Sequence, residues 1–351
     1  MPSLAAVSKI DFPYKVSQQT IKDFARDVFA SSFPDIRRML PVFDNTEICT
    51  RNLCKPLNYY MQTHSFEEQN REFIQLALEY SVKAIEMCIS SADISGDEIT
   101  DLICISTTGL ATPSLDALII NKMRLDPHIN RMSVFGLGCG GGTSGFAKAC
   151  TLAKANPEAV VLLVAVELCS LTFLRHDFSK SNFIGSSLFA DGVAACLLMG
   201  DRCEKGSDSR VRFMAAGSKL YYDSLDIMGW DFTDTGFKVL FSPGIPALIA
   251  GNVREDVSSF LAKQGLALSA IRNFIFHPGG KKVLGAYEEA LAAGGDFLQT
   301  SRQVMKEYGN MSSCTVLYVL ERFLHGYEKG YGLMMSMGPG FSSEMVLLEM
   351  N

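Results

Sequence analysis

The chain has 351 residues, a formal net charge of −6 and 20% charged residues. That length suits one large domain or two merged halves, and the acidic balance carries no basic footprint for nucleic acid. The longest apolar run, 159–166, is far too short for a stable membrane span. Residues 1–17 hold no apolar secretory core, and the ten cysteines include no C-x-x-C pair. A reduced, cytoplasmic protein with no metal site is therefore expected.

In chain order, 18–33 read as an amphipathic helix with Ile21, Phe24, Ala25, Val28 and Phe29 on one face. Residues 71–91 read as a second helix. Residues 102–106, 159–166 and 193–199 are short apolar runs suited to buried strands. A helix-like run over 146–155 follows a glycine-rich stretch. Residues 206–209 read as a turn between Lys205 and Arg210, which fit a solvated edge. A further strand, 273–277, closes on His277, and 314–323 read as a helix. Helices alternating with buried strands define an α/β chain. Leu102 precedes Cys139 by 37 positions (139 − 102), and Phe274 precedes Asn310 by 36 (310 − 274). Both distal points open a helix-like run, which suggests a duplicated unit.

The stretch from Val134 to Ser144 sets Cys139 among Gly136, Gly138, Gly140, Gly141 and Gly142. Glycine permits sharp turns and close approach. A thiol at a helix start meets unpaired N–H groups and the positive dipole end, which favour thiolate. Two plainer readings compete. Gly136-x-Gly138-x-x-Gly141 matches a dinucleotide fingerprint, with Glu167 after the next strand as the ribose-binding acid. A lone cysteine is also often only a small buried hydrophobe.

His277 leads into Pro278-Gly279-Gly280, and Asn310 sits in Tyr308-Gly-Asn-Met-Ser-Ser313. A polar residue at a strand end before glycines is where α/β folds place ligands; Asn310 also reads as a helix N-cap. Together, a thiolate, an imidazole and an amide can acylate, then hold an oxyanion or enolate. The motifs offer no carboxylate base. None is needed if the carbanion arises by decarboxylation of a malonyl thioester.

Gly138-Cys139-x-Gly-Gly-Thr143, His277-Pro-Gly-Gly280, Tyr308-Gly-Asn-Met-Ser-Ser313 and Gly338-Pro-Gly340 together resemble the type III polyketide synthases of the chalcone synthase superfamily. The resemblance runs from about Asp11 to the C-terminus. It implies a thiolase fold with a duplicated αβαβα five-layer core, residues 1–200 carrying the cysteine and 201–351 the histidine and asparagine. It implies a catalytic triad of Cys139, His277 and Asn310, gatekeepers Phe189 and Phe237, and cavity positions Thr108, Thr172 and Ser312. Thr112 would reach into the partner's cavity of a homodimer. Acyl-CoA and malonyl-CoA would be the substrates, with no redox cofactor or metal.

Met228-Gly-Trp-Asp231 looks like bacterial members, which commonly make alkylpyrones or alkylresorcinols from long acyl starters. Plant-type chains have Phe after the cysteine; here Gly140 stands, read as opening space beside the nucleophile. The basic cluster for coenzyme A phosphates is thin, with Arg51 and Lys55 the candidates against a reading as two solvated charges. A chain-initiating ketoacyl synthase, on the same fold, would instead show Gln-Ala-Asn after the histidine and Gly-Asn-Thr-Ser around the asparagine.

Overall fold

Backbone chemistry sets where the elements begin. In the computed structural model, which describes residues 1–30, 35–203, 205 and 210–351, the first strands are β1 (Ser3–Lys9), β2 (Tyr14–Ser17) and β3 (Thr50–Leu53). Helix α1 (Gln18–Phe29) starts where the Ser17 hydroxyl accepts from the Thr20 N–H. It buries Ile21, Ala25, Val28 and Phe29 as expected but ends before residue 30; residues 31–34 lie outside the described residues. Two short helices follow, α2 (Ile36–Met39) and α3 (Pro41–Asp44). Helix α4 (Phe66–Ser91) opens five residues ahead of the expected start at 71. Ser65 and Glu68 form a capping box there, satisfying two orphan N–H donors that periodicity does not reveal.

The N-terminal half continues with β4 (Asp101–Ile105), α5 (Leu115–Met123), β5 (Asn130–Val134), α6 (Gly141–Ala155), β6 (Val160–Leu168), α7 (Lys180–Leu188) and β7 (Asp191–Met199). The C-terminal half has β8 (Val211–Leu220), β9 (Met228–Thr233), β10 (Gly236–Phe241), α8 (Ile245–Ala262), β11 (Ile271–Phe276), α9 (Lys281–Leu291), α10 (Gln299–Tyr308), α11 (Cys314–Leu324), β12 (Gly330–Gly338) and β13 (Ser342–Met350). The turn expected at 206–209 lies outside the described residues.

The main sheet runs β11-β12-β13-β8-β1-β7-β6-β4-β5. β1 pairs antiparallel with β7, β7 with β6, and β6 parallel with β4. β8 repeats this, antiparallel with β13, β13 with β12, and β12 parallel with β11. The two halves thus carry one pattern, and they meet where Ser3 pairs with Arg212 and Phe213 N–H donates to the Pro2 carbonyl. Only β4–β5 has no counterpart in the C-terminal half of this sheet.

Burial explains the layering. All nine residues of β6 and of β7 are buried, so both faces of this half-sheet need cover. α6 and α11 supply it on one side, packed between the half-sheets in a core with Phe146, Cys150, Val316 and Leu320. α4 and α5 cover the outer N-terminal face, and α8 and α9 the outer C-terminal face. The result is the expected five layers of the thiolase fold. Each fully buried Leu, Ile or Val contributes about 1.5–3 kcal/mol. No helix of the described residues is long and apolar enough to cross a membrane.

Candidate active site

The entry turns of the two central helices meet at the molecular centre. Cys139 lies in a 3-10 turn, Gly138–Gly140, that runs directly into α6. The helix therefore begins at Gly141, ahead of the apolar run, and takes in Gly141, Gly142 and Gly145. These glycines serve packing between protein segments. A Cβ on Gly142 would lie 2.1 Å from the Ser313 carbonyl oxygen, and one on Gly138 2.8 Å from the Pro339 ring. Gly140 corrects the reading that it leaves room for substrate. Its Cβ would stand 3.2 Å from the Gly338 Cα, so that space belongs to the backbone of β12.

His277 follows β11, its N–H donating to the Met335 carbonyl at 2.8 Å. The side chain is buried, and neither ring nitrogen has a partner among the described residues. Asn310 is held by its backbone: its N–H donates to the Leu188 carbonyl at 2.9 Å, and its carbonyl accepts from Ala190 N–H at 2.8 Å. That pairing ties Asn310 to Phe189. Asn310 is therefore not the cap of α11, a position that Ser313 takes. Its Oδ1 accepts from Ser312 N–H at 2.9 Å and from the Cys139 thiol at 3.9 Å, while Nδ2 donates to the Gly279 carbonyl at 3.3 Å. Ser312 is buried and holds a left-handed backbone at φ 50°, rare for a residue with a Cβ. Cys139, Asn310 and Ser312 thus converge, with the His277-Pro-Gly-Gly turn joined to them through Asn310.

Burial, not the helix start, dominates the electrostatics. It pushes the Cys139 thiol up to about 12, against the lowering hydrogen bonds from Ser312 and Asn310. Burial also lowers His277 to about 3. Burial thus opposes the thiolate that the helix start favours.

Glu167 is not a ribose ligand. It lies inside β6, fully buried, with Oε1 accepting from the Ser313 hydroxyl at 2.6 Å. Oε2 accepts from Thr107 N–H at 3.0 Å and the Thr108 hydroxyl at 2.9 Å. Burial raises it to about 7, and its charge is felt at Cys139. Of the motifs, the dinucleotide fingerprint alone reaches this carboxylate, and for a different role. Its signal was an acid ending an otherwise apolar strand.

Phe189 and Phe237 line one cavity with Ile21, Phe24, Trp230 and Val239. Trp230 lies 6.4 Å from Phe189 and 5.9 Å from Phe237 between ring centroids. Thr172 lines this cavity, and both Thr172 and Thr108 line a smaller one beneath Phe237. Thr112 stands apart, exposed on the loop before α5. Arg51 corrects the reading as a solvated charge: it is buried, its Nη1 donating to the Phe189 carbonyl at 2.8 Å. Lys55 is committed to Glu72 at 2.5 Å.

This geometry, a cysteine at the junction of two halves with a histidine and an asparagine from the other half, is that of a condensing enzyme. Residues 50–202 match the N-terminal domain of the chalcone and stilbene synthases, and 214–350 match the C-terminal domain. The chain belongs to this family, the type III polyketide synthases, and is an acyltransferase. It is 42% identical over 345 residues to a Bacillus subtilis (strain 168) protein named "Putative chalcone synthase", covering 95% of this chain and 94% of the relative. It is 32% identical to the 1,3,6,8-tetrahydroxynaphthalene synthase of Streptomyces peucetius subsp. caesius, covering 99% of this chain and 92% of the relative. The crystal structure of the Streptomyces coelicolor A3(2) 1,3,6,8-tetrahydroxynaphthalene synthase superposes with a TM-score of 0.93 at 27% identity, covering 99% of each chain.

Proposed function

We propose that this polyketide synthase loads a medium or long fatty acyl-CoA on Cys139, extends it with malonyl-CoA and cyclises the chain to an alkylpyrone or alkylresorcinol. The observation that supports the starter class is the cavity at Phe189. Ile21, Phe24, Leu53, Leu57, Trp230 and Val239 make its wall largely apolar. Each buried methylene contributes about 0.8 kcal/mol, so affinity climbs with chain length until the wall ends.

As the Cys139 sulfur bonds the acyl carbon, His277 takes the thiol proton. The bond to coenzyme A breaks, and the coenzyme A thiolate leaves with that proton. A malonyl thioester then loses CO2. The electron pair of the broken bond becomes an enolate whose oxygen accepts from His277 and the Asn310 amide. The enolate carbon attacks the acyl group, the Cys139 sulfur leaves as a thiolate that takes a proton from solvent or passes to the next loading, and the lengthened chain stands on the coenzyme A of the extender. These steps require no redox cofactor or metal.

A homodimer completes the reading. β5 is the edge of the main sheet, and its neighbours Leu110, Met132 and Phe135 are exposed. An uncovered edge strand is a template for pairing with a second copy, which would bring the exposed Thr112 toward the partner. A cytoplasmic setting suits free thiols and coenzyme A substrates. The test is kcat/KM for C2 to C18 acyl-CoAs and p-coumaroyl-CoA, with products read by mass. A rise with chain length is expected. A flat profile, or preference for the aromatic ester or malonyl-CoA alone, overturns the starter assignment. A monomer by light scattering at micromolar concentration overturns the dimer.

A further inference from the structure

Arg51 is 2% exposed, yet it lines the apolar cavity beside Phe189. One nitrogen, Nη1, is committed to the Phe189 carbonyl. The other two, Nε and Nη2, have no hydrogen-bond partner among the described residues. These two form one edge of the planar guanidinium, and their parallel N–H groups match the two oxygens of a carboxylate. Asp191 is near enough to steady the charge. Its own oxygens, however, accept from Cys54 N–H, Ser170 N–H and the Ser170 hydroxyl. A buried cation with an unpartnered edge is costly to keep unless a ligand completes it.

We propose that the unpartnered edge of Arg51 receives the free carboxylate of malonyl-CoA on its way to the thiol, and so selects the extender unit. This rests on the polyketide reading above. Of the thioesters that reading involves, only the extender carries a carboxylate at its acyl end. Neither Cys139, His277 nor Asn310 lines this cavity, and Phe189 stands between, paired with Asn310. The ion pair therefore forms before the chemistry. It is given up when the malonyl group passes Phe189 to the buried, uncharged surroundings of His277, where CO2 is lost. Arg51 distinguishes malonyl from acetyl without touching the reacting bond. Its stem also lies against the Gly309 position, where a Cβ would stand 2.9 Å from the Arg51 Cγ. A structural role must therefore be separated from a selective one.

Steady-state kinetics of Arg51→Lys and Arg51→Gln separate them, with KM measured for malonyl-CoA and for an acyl-CoA starter. The ratio of malonyl to starter KM should rise on the order of tenfold or more in Arg51→Gln, since a charge-assisted fork is lost. Arg51→Lys, which keeps the charge and not the fork, should fall between. A ratio unchanged in both variants overturns the proposal, whatever happens to kcat. If the variants do not fold, the wild-type enzyme answers. Succinyl-CoA, a dicarboxylate that cannot decarboxylate in the same way, should inhibit competitively against malonyl-CoA at least tenfold more tightly than butyryl-CoA. Equal inhibition overturns the proposal. Failure of the fatty starter in the acyl ladder leaves this comparison intact, because any accepted starter can be used.

Discussion

Glu167→Gln tests whether a carboxylate buried beneath the nucleophile sets the pH response of the whole molecule. Burial raises Glu167 from 4.5 to about 7. The folded state therefore favours the protonated acid, and the stability this gives is full below pH 4.5. It is lost as pH rises through 7, by about 3 kcal/mol at 1.36 kcal/mol per unit. Asp191, raised by burial from 3.8 to about 6, adds a loss of similar size over a slightly lower window. Gln imitates the protonated acid. Its amide can donate to the Ser313 hydroxyl while its oxygen accepts from Thr107 N–H and the Thr108 hydroxyl, the partners Glu167 has. Urea unfolding from pH 5 to 8 should show the variant near wild type at pH 5 and more stable by about 3 kcal/mol at pH 8. Because the Glu167 charge raises the Cys139 thiol, iodoacetamide should alkylate the variant at lower pH than wild type. Parallel stability curves across that range would refute the reasoning.

Cys139→Ala should abolish polyketide formation with the fold retained, while some malonyl-CoA decarboxylation persists through His277 and Asn310; product by mass and CO2 release read the two. Asn310→Ala should lower decarboxylation on the order of 10²–10³-fold, the usual effect of losing one oxyanion donor, and reduce single-turnover loading of Cys139 far less. Gly142→Ala should destabilise by about 3 kcal/mol or more, because its methyl would meet the Ser313 carbonyl at 2.1 Å. Thermal unfolding checks it, and a wild-type Tm would show that the two helix entries are not packed as described.

Where side chains alone decide an element, the sequence was easily read. The uninterrupted apolar runs of β6 and β7, and the apolar face of α1, appear where their patterns place them. The turns that hold Cys139, His277 and Asn310 were legible because glycines punctuate each of them. What escaped depends on contacts between distant segments. Gly140 looks like room for a ligand until β12 is laid against it. Arg51 looks solvated because a charge ordinarily is; only the pairing of β3 with β2 and the nearness of Asp191 make it interior. The thiol looks acidic from the helix start alone, while tertiary burial acts on it in the opposite direction.

The two halves repeat one strand order, yet their helix entries have diverged in chemistry. Cys139 stands two residues before α6 (141 − 139), and Ser312 stands two before α11 (314 − 312). One copy of the turn carries the sulfur of Cys139. The other became its brace, with Ser312 beside the thiol and Ser313 holding Glu167 beneath it. With both turns in one chain, a substitution in the brace can alter the surroundings of the thiol without removing it.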